Sequence, residues 1–219
     1  SDEYTIPEST KIGATNAVEG APNMAINRTK ITGPLIAFSP ADILPKEGME
    51  ELIADKCDTM AEASVVIEHT YKAETRELNV TVSGQVANVD RKAYLLSILI
   101  KENGLVSRQE DAYCSWKGAK WKEYMHPRVV RDMVTATFGD TVWVENQAYS
   151  YTTSYVVDDE WVAENCCVVA YLTSLEKGPV INAEQVALVE GTDGGEQYGP
   201  YGITEGKGPN TSISFDSVR

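Results

Sequence analysis

The spacing of apolar side chains changes near Ala63, and this change predicts where the main fold begins. From there to Val189, apolar and polar residues alternate in short runs that are separated by turn-forming pairs. A period of two is typical of half-buried β-strands, and about seven such runs occur. No helical pattern separates them, which excludes a parallel β/α fold. We therefore predict a mainly β protein in which residues 63–190 form an antiparallel β-sandwich.

Two of the predicted turns are at Ala73–Arg76 and Asn103-Gly104, and a third is at Gly139-Asp140. We expect a β-hairpin around the first and a favoured tight turn at the second. Trp143 and Trp161 are predicted to be core or core-edge residues.

The chain on either side of residues 63–190 has a different composition. Residues 45–60 combine a proline and three glutamates in a first turn with an apolar face, which predicts a helix. Residues 1–30 show no helical period, and residues 22–31 resemble a strand. Residues 191–219 are rich in glycine and are predicted to be a tail, in which 211–218 could add an edge strand. The predicted organisation is thus 1–62, 63–190 and 191–219.

Charge and composition exclude several classes of protein. The 219 residues include 33 acidic and 19 basic side chains, a formal net charge of −14. Such a field repels phosphate backbones and anionic lipid surfaces, so we expect no nucleic-acid partner. No run reaches the roughly 20 apolar residues of a membrane helix, so no transmembrane segment is expected. The sequence opens without a charged-then-apolar leader, so we expect that any export signal has been removed or never existed.

The four cysteines are Cys57, Cys114, Cys166 and Cys167. They form neither a CxxC motif nor a metal-binding spacing with histidine, so no metal or other cofactor is expected. Cys166 and Cys167 are neighbours in a strand and point to opposite faces, so at most one faces the core. The other could form a disulfide with Cys114. The alternative is that the thiols are free and buried.

The sequence carries no recognisable motif for catalysis. His69 and His126 are the two histidines, and His69 lies in a strand as a half-exposed residue. No serine lies in a GxSxG elbow, no glycine loop leads from a strand to a helix, and the carboxylates are scattered. We therefore expect a protein that is not an enzyme.

One segment, residues 108–133, differs from the acidic background. It holds six basic against four acidic residues, interleaved with aromatic side chains, and it is longer than a hairpin requires. One interpretation is a recognition surface for a sugar or a peptide, and the other is a lid that packs its tryptophans over one end of the sandwich. The candidate surface residues are Trp116, Lys117, Lys120, Trp121, Tyr124, His126, Arg128 and Arg131.

Several short motifs between residues 64 and 189 together resemble a known family. They are the Glu102–Gly104 turn, Gln109, Tyr124 with His126 and Arg131, Phe138-Gly139, and Trp161–Asn165 before a Cys-Val-Val strand. The set resembles the twenty-eight-kilodalton outer-membrane protein family of Gram-negative bacteria. One departure is Pro127-Arg128, where the family often has a second histidine.

The resemblance implies a thioredoxin-like domain followed by an immunoglobulin-like β-sandwich. Residues 18–31 look like the cis-proline loop of the first domain, with Pro22 as the candidate cis-proline, and residues 48–57 look like its last helix. The first strand and the dithiol helix are missing, so residues 1–62 would be a partial thioredoxin-like remnant with one helix.

The resemblance also implies a place and a role. We expect a non-catalytic, lipid-anchored protein of the cell envelope, outer-membrane-associated or at the surface, which serves binding or assembly. Its partner would be another envelope protein, a peptide or a glycan. One alternative is the positioning domain of a thiol-disulfide oxidoreductase whose CxxC half is absent here. Another is a carbohydrate-active enzyme, which would require two carboxylates that converge in a cleft.

Overall fold

The computed structural model describes residues 4–15, 25, 26, 28–30, 54, 60–110, 120–176 and 178–196. Within them lie one helix, twelve strands and a single 3-10 turn at Ala163–Asn165. The helix and strands are α1 (Ser9–Thr15), β1 (Ala25–Ile26), β2 (Thr29–Lys30), β3 (Val66–Lys72), β4 (Glu77–Gln85), β5 (Ala93–Glu102), β6 (Leu105–Glu110), β7 (Lys120–His126), β8 (Val129–Met133), β9 (Asp140–Trp143), β10 (Ala148–Val156), β11 (Cys166–Thr173) and β12 (Val180–Ala187).

Two antiparallel sheets face each other and form a sandwich. One has the strand order β10-β4-β3, and the other has the order β12-β11-β5-β8, with β9 also paired to β5. Strands β8 and β9 pair with opposite ends of β5, so together they occupy one position at the edge of the sheet. Counted this way, the two sheets of the described residues have seven strand positions. The predicted mainly β sandwich of about seven strands is confirmed.

The core lies between the sheets because alternate residues of each strand point inwards. Strand β4, for example, buries every second residue from Leu78 to Val82. The inward residues of four strands are Ile67 on β3; Leu78, Val80 and Val82 on β4; Leu96, Ile98 and Ile100 on β5; and Cys166, Val168, Ala170 and Leu172 on β11.

Tyrosines of β10 join the two sheets along one side of the sandwich. The hydroxyl of Tyr151 donates to Asp140 on β9, and that of Tyr155 donates to Asp132 on β8 at 2.6 Å. Burial and these carboxylates raise the pKa of both phenols, so they remain protonated donors. On the other side, Nε2 of His69 lies 3.0 Å from the Leu188 carbonyl oxygen.

Two of the three predicted turns behave as expected, and the third does not. Strands β3 and β4 form the predicted hairpin, with Arg76 at φ 54°. Gly139 lies at the predicted Gly139-Asp140 turn, with φ 95°. Asn103-Gly104 is not a hairpin turn, because β5 and β6 do not pair with each other. Asn103 is instead buried where the chain leaves the sheet.

The N-terminal part differs from the prediction in two respects. Residues 1–30 were expected to lack a helix, but α1 begins at Ser9, two residues after Pro7. This helix buries no residue, so no apolar stripe could have marked it. The predicted strand at 22–31 is a pair of two-residue strands, β1 and β2, joined through Arg28 at φ 59°.

The remaining predictions for residues 1–62 lie outside the described residues. They are the cis-proline at Pro22 and the helix at 45–60, and with them the thioredoxin-like remnant. Among the residues that are described, no helix has the length and apolar character needed to cross a bilayer.

Candidate functional site

A buried carboxylate lies at the end of β5, where the chain leaves the sandwich. Glu102 is 1% exposed and occupies the last inward-facing position of its strand. Its Oε1 accepts a hydrogen bond from the Val162 N–H at 2.8 Å, and Nε of Arg131 lies 3.3 Å from its Oε2. Burial raises the pKa of Glu102, while the Val162 N–H and the Arg131 charge oppose the rise. Oε2 accepts no hydrogen bond within the described chain, so the contact with Arg131 is an ion pair without an aligned hydrogen bond.

Arg131 is held by aromatic rings as well as by Glu102. Its guanidinium carbon lies 5.2 Å from the centre of the Trp161 ring and 5.6 Å from that of Tyr4. Trp161 in turn stacks on Tyr155, with 6.4 Å between ring centres. The buried position of Trp161 agrees with its prediction as a core-edge residue. Arg131 thus fastens β8 to this end of the core.

A second charged group lies on the outer face of the same sheet. Nζ of Lys101 is 2.7 Å from Oε1 of Glu196, and a nitrogen of Arg128 is 3.4 Å from Oε2. Gln185 donates to Oε1 at 3.2 Å. Burial alone would raise the pKa of Glu196, but Lys101, Gln185 and Arg128 together lower it. The beginning of the predicted tail, residues 191–196, is therefore attached to the sandwich.

Asn103 connects these two groups of contacts. Its side-chain amide donates to the Gly194 carbonyl at 2.6 Å, and its side-chain oxygen accepts from the Arg128 N–H at 2.8 Å. Arg128 has φ 56°, where the chain turns from β7 into β8. Asn103 therefore fixes both the point where β5 ends and the point where the chain returns.

Between those two points the chain forms the hairpin of β6 and β7, which was not predicted. The two strands pair with each other from Leu105 opposite His126 to Glu110 opposite Lys120, and they form a separate two-stranded sheet. At the base, Oγ of Ser107 lies 3.0 Å from Nε2 of His126, whose ring meets Tyr4 edge-on. We call Leu105–Glu110 and Lys120–His126 the β6–β7 hairpin.

The structure describes six of the eight residues of the predicted recognition surface and places them at two locations. His126, Arg128 and Arg131 come together at the base of the β6–β7 hairpin, where each contacts other parts of the chain. Lys120, Trp121 and Tyr124 lie on β7. Trp116 and Lys117 lie outside the described residues, so the predicted lid stays a prediction.

The two adjacent cysteines are buried on opposite faces of β11. Cys166 faces the core, and burial together with Glu102 raises the pKa of its thiol to about 12. Cys167 is 2% exposed and lies beneath Gly194, with 3.6 Å between its sulfur and the Gly194 carbonyl oxygen. Both are free thiols in this structure, so neither forms the predicted disulfide with Cys114, which lies outside the described residues. The face of β11 that carries Cys167 is covered by Gly194, which lies in the segment predicted to be a tail.

The prediction that Trp143 belongs to the core or its edge is wrong. The residue is 69% exposed at the end of the sandwich opposite the hairpin. Val142 beside it is 2% exposed, and Val144 packs against the core, so the strand alternation places Trp143 outwards. The alternation around Trp143 is visible in the sequence and predicts an outward side chain. The prediction followed the usual burial of tryptophan instead.

Two cavities lie at the two ends of the sandwich. A groove of about 590 Å³ runs beside Trp161 at the hairpin end, and a shallower pocket of about 380 Å³ contains Trp143. In the groove, His69 and Arg76 are already bonded to backbone carbonyls, Arg76 to those of Val157 and Trp161. Among the described residues, no three His, Cys, Asp or Glu side chains are grouped so as to hold a metal ion.

Comparisons with known proteins identify relatives of this chain. The outer membrane protein Omp28 family matches residues 11–192. Among solved structures, a domain of the outer membrane lipoprotein Omp28 from Porphyromonas gingivalis is 17% identical, with 58% of this chain and 88% of that chain covered and a TM-score of 0.35. The X-ray structure of a structural-genomics target, SoR45, is also 17% identical, with 60% and 87% covered and a TM-score of 0.19. No match was found among curated proteins.

Proposed function

This chain belongs to the Omp28 family of outer membrane proteins and is a protein of the cell envelope, and from that premise we propose a role in binding or assembly without catalysis. The β6–β7 hairpin is the proposed docking element. The observation that carries the proposal is that this hairpin forms a two-stranded sheet of its own. At its base, Asn103 is hydrogen-bonded to Gly194 and Arg128, and Arg131 forms an ion pair with Glu102.

The pairing of the hairpin supports a docking role. Each of β6 and β7 has a second backbone edge, and in the described residues that edge is not paired with a strand of the sandwich. Such edges can add a strand from a partner chain. The base holds the hairpin in one direction, which lowers the entropy cost of binding.

The composition of β7 supports a protein partner with an acidic surface. The strand reads Lys-Trp-Lys-Glu-Tyr-Met-His, so aromatic and basic residues lie together in a chain of net charge −14. Tryptophan and tyrosine are frequent binding hot spots, and basic residues at an interface rim steer an acidic partner.

The state of the buried groups supports a role without catalysis. A cysteine nucleophile must ionise, but the pKa of Cys166 is about 12, so it is a thiol at neutral pH. Glu102, the most buried carboxylate at the hairpin end, is bonded to Val162 and paired with Arg131.

The experiment compares the full chain with a shortened hairpin. Residues 109–121 are replaced by a glycine-serine linker, which leaves the base at Ser107, His126 and Arg131 intact. Co-sedimentation with outer-membrane vesicles from a Gram-negative bacterium is measured at low and at physiological salt. We expect the full chain to bind, the shortened chain to lose at least tenfold in affinity, and binding to weaken as salt rises.

Matched substitutions separate the hairpin from the rest of the surface. Trp121→Ala and Lys120→Glu should reduce binding, while Val156→Ala, at a site 68% exposed on the other sheet, should leave it unchanged. Equal binding by the full and shortened chains would contradict the docking role. Turnover in an insulin-reduction assay would contradict the absence of catalysis.

A further inference from the structure

The end of the sandwich opposite the β6–β7 hairpin carries a second surface. Strand β5 has ten residues, so its two ends are roughly 30 Å apart. At its first residue, Ala93 pairs with Trp143, the last residue of β9. The loops before β5 and after β11 meet at this end, as do the binding loops of immunoglobulin variable domains.

A pocket of about 380 Å³ is formed where these segments meet. Its lining includes Asn88, Asp90, Arg91 and Lys92 from the loop before β5, Trp143, and Glu176 from the loop after β11. The volume is within the range of small-ligand sites.

The indole of Trp143 is held outwards by the structure around it. Its neighbours Val142 and Val144 pack into or against the core, and the pairing with Ala93 fixes the end of the strand. At 69% exposure the indole presents a large apolar face to the pocket, and this face gains free energy when a ligand covers it.

The charges of the pocket favour an uncharged polar ligand. Asp90 and Glu176 carry two negative charges, and Arg91 and Lys92 carry two positive charges, so the lining has no net charge. Nε of Arg91 already lies 2.9 Å from Oε1 of Glu62, and Lys92 donates to the Val89 carbonyl. Arg91 and Lys92 would repel a cationic ligand, and Asp90 and Glu176 would repel an anionic one.

We infer that this pocket binds a neutral saccharide, with one sugar ring lying over the Trp143 indole. The C–H groups of a sugar ring carry a small positive charge that suits the negative face of the indole. Asp90 accepts hydrogen bonds from the hydroxyl groups, and the Asn88 side-chain oxygen and Glu176, which already accept from the Asp90 N–H and from Ser174, offer their remaining lone pairs. The inference goes beyond the proposed function, since it concerns the opposite end of the sandwich and does not depend on the hairpin.

The test uses the full chain on an array of neutral oligosaccharides built from glucose, galactose, mannose and N-acetylglucosamine, followed by calorimetry with the strongest one. We expect binding that falls at least tenfold in Trp143→Ala and is partly kept in Trp143→Tyr, which retains an aromatic face. Asp90→Asn should weaken binding less. Val156→Ala is the control, since it also truncates an exposed apolar side chain but lies on the other sheet.

Two results would overturn the inference. One is the absence of binding to every neutral oligosaccharide on the array while the chain keeps its native melting temperature. The other is binding of a lysine-rich decapeptide that is abolished by Trp143→Ala, which would assign the pocket to a basic peptide. The chain with the shortened hairpin should bind the saccharide as tightly as the full chain does. A failure of saccharide binding is therefore distinguishable from a failure of hairpin docking.

Discussion

Replacing Arg131 by methionine should strongly destabilise the protein, because it leaves Glu102 buried without its charged partner. The Glu102 side chain is 2% exposed and the Arg131 side chain is 17% exposed, with 3.3 Å between Nε and Oε2. Methionine keeps much of the length of the arginine and can still pack against Trp161, whose ring lies 5.2 Å from the guanidinium. The loss therefore reports mainly the charge.

The expected loss of unfolding free energy follows from the burial of the Glu102–Arg131 pair. Removing one partner of a buried ion pair typically costs about 3–5 kcal/mol, whereas exposed pairs contribute about 0–1 kcal/mol. Arg131 is partly reached by water, so we expect the lower end, about 3 kcal/mol for Arg131→Met. For a chain of this length that corresponds to a decrease in melting temperature of roughly 6–12 °C.

The loss should depend on pH in a definite direction. Burial raises the pKa of Glu102 above its ordinary value, so the folded state binds the proton more tightly and stability falls as pH rises through that window. Arg131 opposes this rise, so its removal extends the window to higher pH. The difference between Arg131→Met and wild type should therefore be larger at pH 7.5 than at pH 5. Glu102→Gln combined with Arg131→Met should recover most of the loss at pH 7.5, because it removes the buried charge.

The assay is urea unfolding followed by far-UV circular dichroism, with Lys72→Met as the matched control. Lys72 pairs with Glu77 at 3.1 Å, but the two side chains are 60% and 41% exposed. We expect less than about 1 kcal/mol from this control at either pH. A loss in Arg131→Met that equals the control, or that is the same at both pH values, would refute the reasoning.

Two further predictions concern buried sulfur and a tight turn. Cys166 and Cys167 should resist alkylation by iodoacetamide at pH 8 in the folded protein and react once it is unfolded, because burial raises the pKa of both thiols. Mass spectrometry of the peptide that contains both cysteines measures the labelling. Rapid labelling of the folded protein would contradict the prediction. Gly139→Ala should lower the free energy of unfolding in urea by about 2 kcal/mol or more, since φ is 95° and a Cβ would lie 2.8 Å from the Leu96 carbonyl oxygen. Gly191→Ala is the control, because φ is 81° there and a Cβ would have nothing within 4 Å, so backbone strain alone should cost about 1 kcal/mol. Equal losses in the two variants would refute the steric argument.

The strand series could be predicted because its signal is local. A period of two, broken by turn residues, identified β3, β4, β10 and β11 to within a few residues. The same rule also placed Trp143 outwards between Val142 and Val144, and the general preference of tryptophan for burial misled the prediction.

The paired charges at the hairpin end could not be predicted in the same way. Glu102 and Arg131 are 29 positions apart, and arginine and glutamate are usually exposed, so nothing in either sequence neighbourhood marks a buried pair. The charge and length of residues 108–133 predict one long insert, whereas the structure has β7 and β8 within this segment. Register between strands is decided by contacts across the sheet, and these appear only in the folded chain.

The buried ion pair strengthens the attachment of the β6–β7 hairpin to the sandwich. In the described chain, β6 and β7 form a backbone ladder with each other and with no strand of the sandwich. Its two connections to the sandwich, at Asn103 and Arg128, are bonded directly to each other at 2.8 Å. Arg131, three residues after that second connection, is then fixed by Glu102 at the end of β5. An apolar pair of similar volume could give equal stability, but it would accept several orientations, whereas a charge pair with one hydrogen-bonded carboxylate accepts few. A direct consequence is that the combined Glu102→Gln and Arg131→Met variant should regain stability while it loses hairpin-dependent binding.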